Sequence, residues 1–152
     1  MKNKKLQIQQ LERRVKLFSA AGQLPRPTTG WIRAIRTALG MSLRQLGDKL
    51  SISRQSAQEL EMREKEDSIT LKSLREAANA MDMELVYGFV PRDGSMEAYI
   101  ETKARKMASE IVLRTSNNMR LEDQQNSDER IEQAIEERTE NIVRDMPKSL
   151  WD

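Results

Sequence analysis

A chain of 152 residues with 38% hydrophobic and 33% charged side chains suits one small domain with appendages or two small units, helix-rich and modest in core. It contains neither Cys nor His, which excludes disulfides and thiolate metal sites and removes the usual general base and the commonest metal ligand. The net charge of +2 conceals a division, since residues 1–63 carry 13 Lys/Arg and 4 Asp/Glu whereas residues 64–152 carry 13 and 20. A basic front half is the electrostatic footprint of a phosphate-binding surface, and an acidic back half is expected to face solvent or another protein. No apolar run approaches the roughly 20 residues that cross a bilayer. The basic start MKNKKLQIQQLERR does not continue into an apolar signal core. The expected location is the cytoplasm, with no membrane partner.

Residues 3–19 carry Leu6, Leu11, Val15, Leu17 and Phe18 among many charges and predict an amphipathic helix, packed on the following module at its C-terminal end. It reads either as a basic arm touching nucleic acid or a second subunit, or as a solvated helix covering a core. GQLPRPTTG, residues 22–30, concentrates turn formers and reads as a linker, so residues 1–29 are taken as an N-terminal helix and linker. Thr28 or Thr29 is placed to cap the next helix, about 30–39, with Trp31, Ile32, Ile35 and Leu39 inward and Arg33 and Arg36 outward. Gly40 suits its left-handed C-cap.

LRQLGDKLSISRQSAQELE, residues 43–61, predicts two short helices joined by a tight turn. Leu43, Leu46, Gly47, Leu50, Ile52, Ala57 and Leu60 form one apolar seam through both. Ser42 and Gln45 make a capping box, and Gly47 stands where the helices cross. Ser51 occupies the turn position that usually takes Gly because one residue there adopts positive φ. Ser53 caps the second helix. That helix presents Arg54, Gln55, Ser56, Gln58 and Glu59 outward, side chains able to bond base edges and phosphates. Arg54 and Gln55 are the expected base readers, because Arg matches guanine O6/N7 and Gln matches adenine N6/N7. Arg44, Lys49, Ser53 and Ser56 are expected phosphate contacts, and Gln58 completes the candidate DNA-binding set.

After a charged loop, Thr70 caps a helix to about Met81, with Leu71, Leu74, Ala77, Ala78 and Met81 inward. MELVYGFVP, residues 83–91, alternates Leu85, Tyr87 and Phe89 against Val86 and Val90 and predicts one short β-strand. A lone strand either pairs with its copy in a second subunit or lies on the helices as an extended tail. A dimer is favoured, since one helix-turn-helix reads little DNA. Residues 30–94 thus form the expected helix-turn-helix domain and residues 95–152 an acidic helical extension for partner binding or dimerisation. Within the extension, helices are expected over 95–114 and about 128–146, separated by the polar, turn-rich TSNNMRLEDQQNSD. The second, with Ile131, Ile135, Ile142 and Val143 on a narrow stripe, reads as a solvated tail or a partner-binding arm. Trp151 favours the arm.

No catalytic constellation is present: there is no phosphate-cradling or dinucleotide-binding glycine motif, and Glu136, Glu137 and Glu140 read as a solvated helix face. The chain is expected not to be an enzyme and to need no cofactor or metal. The fold expected is mainly α.

Residues 31–81 resemble the Cro/C1-type (Xre-like) helix-turn-helix family, a compact bundle of helices, on Leu43, Leu46, Gly47, Leu50, Ile52, Ser53, Arg54, Gln55, Ser56 and Leu60-Glu61. Ser51 and Ala57 depart from it, where Gly and a larger apolar residue are usual. A wider stretch, GWIRAIRTALGMSLRQLGDKLSISRQSAQELEMREKEDSITLKSLREAANAMDMELVYGFVPRD, resembles the mobile mystery protein A family. That resemblance implies a partner encoded alongside, a Fic-domain protein of the kind that transfers AMP to a hydroxyl. The chain would then be an antitoxin-like autoregulator of a two-gene module. Fic inhibitors carry Ser/Thr-x-x-x-Glu-Gly/Asn. Here Glu140-Asn141 keep the spacing, with Glu136 in place of Ser or Thr, and Glu140 would pair with an Arg of the partner's nucleotide site.

Overall fold

The computed structural model describes residues 2–121 and 127–152. Seven α-helices are found among them: α1 (Lys2–Phe18), α2 (Trp31–Ala38), α3 (Leu43–Leu50), α4 (Arg54–Lys65), α5 (Leu71–Ala80), α6 (Met96–Leu121) and α7 (Asp128–Asp145). Short 3-10 turns follow α1 at Ala21–Gln23 and α7 at Lys148–Trp151. The chain forms two compact units, residues 23–88 and residues 1–22 together with 89–152.

In the central unit, Ile32 of α2, Leu46 of α3, Ala57 and Leu60 of α4, Ala77 of α5 and Met81 are buried together, with Ile35, Met41, Leu43, Leu50, Ile69 and Leu74 packed around them. The helices begin where local chemistry starts them. The Ser42 hydroxyl accepts the Gln45 amide at 3.1 Å while the Gln45 side chain accepts the Ser42 amide at 2.8 Å, completing the capping box. Thr70 caps α5 by accepting the Ser73 amide at 3.1 Å.

The other unit joins the two ends of the chain. Ile100, Ala104 and Ala108 of α6 pack on Ile135 and Ile142 of α7 and on Leu150, with Ile8 of α1, Tyr99, Met107 and Met146 against them. Glu12 of α1 accepts the Met96 amide at 2.7 Å and so caps α6. Trp151 stacks on Tyr99 with ring centroids 5.7 Å apart.

Several expectations are corrected. No strand is found among the described residues, and MELVYGFVP is irregular. Beyond the bond from the Met83 amide to the Ala78 carbonyl, no backbone–backbone hydrogen bond involves described residues 84–90. The alternation has no inner face either, because Val86, Tyr87 and Phe89 are 74%, 60% and 93% exposed. A strand needs a neighbour for its ladder, and none stands there. Helix α1 belongs to the unit of the C-terminal helices, and its apolar contacts are made there. It buries Val15 and leaves Leu6, Leu11 and Leu17 exposed. Arg36 does not point outward but is mostly covered, paired with Glu61. Trp31, Leu39 and Leu71 are exposed rather than inward. The N-cap of α2 is Gly30, with no side-chain cap of its own from Thr28 or Thr29.

Helix α6 continues to Leu121, past its expected end at 114, because TSNNMRL contains neither Gly nor Pro to stop it. Residues 122–126 of the expected turn-rich stretch lie outside the described residues. Helix α7 buries Ile135, Thr139 and Ile142, so it is no solvated tail. The charge division also folds back on itself. Residues 23–88 hold ten Lys/Arg and nine Asp/Glu, and residues 1–22 with 89–152 hold sixteen and fifteen.

Candidate nucleic-acid interface

Helices α3 and α4 meet through Ser51-Ile52-Ser53, and two features make that corner tight. Ser51 is left-handed, φ 56° and ψ 40°, which turns the chain within one residue. The Ile52 amide then donates to the Gly47 carbonyl at 2.9 Å. Gly47 is buried in the crossing, and a Cβ there would stand 2.8 Å from the Ile52 carbonyl oxygen and 3.1 Å from that of Ser53. Only a residue without Cβ lets the corner close.

The Ser53 hydroxyl accepts the Ser56 amide at 3.0 Å, and the two hydroxyls lie 2.9 Å apart. Both serines are therefore engaged in starting α4, which leaves them less donor capacity for phosphate than their side chains alone suggest.

Helix α4 buries Ala57, Leu60, Glu61 and Glu64, the i, i+3, i+4, i+7 line of a core-facing helix. On the outward side Arg54, Gln55, Gln58 and Glu59 are exposed, and on α3 Arg44 in the first turn and Lys49 in the last turn are exposed as well. Ser56 is half-buried. The structure thus brings Arg44, Lys49, Ser53, Arg54, Gln55, Ser56 and Gln58 onto one helix-turn-helix. None of Arg44, Lys49 and Arg54 is in an ion pair with a described residue. Their charges stay available to an anionic partner.

The two buried glutamates hold this surface to the rest of the bundle. The Arg36 guanidinium pairs with the Glu61 carboxylate, its second contact measuring 3.2 Å, and also donates to the Met41 carbonyl at 2.8 Å. Glu64 accepts the amides of Trp31 at 3.0 Å and Ile32 at 2.8 Å, serving as the missing cap of α2. Sequence reasoning missed Arg36 and Glu64. The signal was present in the buried line of α4, which places two carboxylates where only paired charges survive.

Glu140 and Asn141 are exposed on α7, between buried Thr139 and Ile142, and Glu136 is exposed one turn earlier. The Asn141 side-chain oxygen accepts Arg144 Nη2 at 2.8 Å.

Residues 32–87 match the family described as Helix-turn-helix, so this stretch is a Cro/C1-type helix-turn-helix domain, spanning α2 to α5. Neither curated proteins nor solved structures gave a match to the chain. The domain supports a DNA-binding regulator. No helix among the described residues is long and apolar enough to cross a membrane.

Proposed function

We propose that the chain is a sequence-specific transcriptional regulator that binds operator DNA as a homodimer and represses its own gene. It acts by binding and not by catalysis, within the cytoplasm. The observation that carries this is the exposed start of α4, where Arg54, Gln55 and Gln58 face outward, with Arg44 and Lys49 exposed on α3. Recognition helices of a dimer would enter the major groove at half-sites about 34 Å apart. Arg54 and Gln55 would read base edges, while Arg44, Lys49 and the Ser53–Ser56 corner set the register on the phosphates. The exposed residues 86–89 are the segment through which two copies would meet.

A second role rests on the resemblance to mobile mystery protein A: an antitoxin-like inhibitor of a Fic-domain partner. The exposure of Glu140 and Asn141 on α7 favours it, since a carboxylate meant for a partner's arginine has to face outward.

Binding to the DNA upstream of its own gene, measured by fluorescence anisotropy against salt, tests the first role. Arg54→Ala should weaken binding by about 1–3 kcal/mol and relax preference at one base pair. Unchanged affinity and preference would refute the assignment. Co-purification with the product of an adjoining Fic-domain gene, and release of AMP transfer by Glu140→Ala, test the second.

A further inference from the structure

We propose that the helix-turn-helix domain binds a small lipophilic cation, of the arylalkylamine type, in a cavity between α2, α5 and the irregular arm after α5. The cavity has a volume of about 390 Å³, with Trp31, Ile35, Leu74, Met81 and Leu85 among its walls. That volume falls within the range of ligand sites, which are mostly apolar with a few placed polar groups. The polar groups here are of one sign. Glu64 and Glu84 line the cavity, and no Lys or Arg does.

Glu64 is committed to the amides of α2. Glu84 is exposed and in no ion pair with a described residue, so its charge is open to an occupant. Trp31, 49% exposed, contributes an indole to the same walls. An aromatic face and a free carboxylate favour a cation, and apolar walls favour a hydrocarbon body behind it. Anions meet only like charge.

Entry requires little rearrangement. The arm residues Met83 to Val86 form one wall, and past the Met83 amide that wall is held by no backbone–backbone hydrogen bond. The site also touches the reading element through Glu64, a residue of α4. An occupant would bear on the orientation of that helix, a consequence that rests on the DNA-reading role proposed above.

The test uses the full chain carrying Trp151→Phe, which leaves Trp31 as its one indole. Phenylpropylamine, phenylpropanol and phenylpropionate are titrated while indole emission is followed without DNA. The amine should shift the emission saturably and bind about tenfold tighter than the alcohol, with the propionate weaker than both. Glu84→Gln should bring amine and alcohol to within about twofold of each other. Ala78→Met, which fills the cavity, should abolish the response with the circular dichroism unchanged, and the Glu84 comparison stands even where that variant unfolds. Equal affinity for the three probes, or no saturation, overturns the proposal. So does self-association in sedimentation that Ala78→Met abolishes and the amine leaves intact, since residues 86–89 of a second copy would then fill the cavity. Every measurement is on free protein, so failure here leaves DNA reading untested and intact, and the reverse also holds.

Discussion

The Glu64 carboxylate accepts the Ile32 amide at 2.8 Å, so a side chain of α4 closes the N-terminus of α2. Gly30 makes room for it, with φ at +86° and a hypothetical Cβ only 2.8 Å from Glu64 Oε1. Four orphan amides begin any helix, and a carboxylate also suits the positive end of its dipole. Glu64→Ala should therefore lower stability by about 2 kcal/mol in urea denaturation, and Glu64→Gln by about half of that. Equal losses for Ala and Gln would mean that bulk, not capping, is what Glu64 supplies.

Arg36 and Glu61 form the second tie between α2 and α4, with both side chains nearly buried. Removing one partner leaves an uncompensated buried charge, so Arg36→Ala or Glu61→Ala should each reduce stability by about 3 kcal/mol. Replacing both by apolar residues, Arg36→Met with Glu61→Leu, should recover most of that loss. The double-mutant cycle, read from urea midpoints at constant slope, gives the coupling directly.

The corner offers opposite outcomes at two small residues four positions apart, Ser51 and Gly47. Ser51 holds a left-handed backbone, which a side chain disfavours by about 1–2 kcal/mol; Gly relieves that strain, but its larger unfolded-state entropy offsets part of the gain. Ser51→Gly should thus stabilise by about 0.5 kcal/mol. Gly47→Ala places a Cβ against two backbone carbonyls and should destabilise by about 1–3 kcal/mol, with loss of DNA affinity as α4 shifts. Thermal midpoints and anisotropy titrations separate the two effects.

Much of the helix-turn-helix was legible because its determinants are local. The Ser42–Gln45 box, the αL strain at Ser51, the Ser53 cap and the Gly47 crossing each follow from residues within a few positions of one another. The two missed ties between α2 and α4 are long-range. Glu64 finds Ile32 and Arg36 finds Glu61 across more than twenty residues, and spacing along one helix reveals the buried line but not the partner. The β-like arm misled for the opposite reason: its alternation is a local signal, and the neighbour that would make it a strand is missing among the described residues. The halves of opposite charge misled because the basic α1 joins the acidic α7 in one unit, and α6 between them in that unit is itself slightly basic. The outward start of α4 was legible as exposure, while what Arg54 and Gln55 contact depends on a partner.

The pairing of α1 with the C-terminal helices determines how the chain divides under truncation. Ile8 packs on the core formed by α6 and α7, Val15 is buried, and Glu12 caps α6. None of these belongs to residues 23–88, whose buried cluster runs from Ile32 to Met81. Deleting residues 1–20 should therefore lower the stability of the C-terminal unit by about 2–4 kcal/mol, the scale of losing one well-buried aliphatic side chain and a cap. The helix-turn-helix, whose buried cluster contains none of the deleted residues, should change by less than about 0.5 kcal/mol. Each unit holds one tryptophan, so Trp151→Phe reports on the domain through Trp31 and Trp31→Phe reports on the other unit through Trp151. Urea titrations of the two variants, each with and without residues 1–20, give the four curves needed. A midpoint that moves for Trp31 as much as for Trp151 would mean that α1 supports the DNA-binding domain after all.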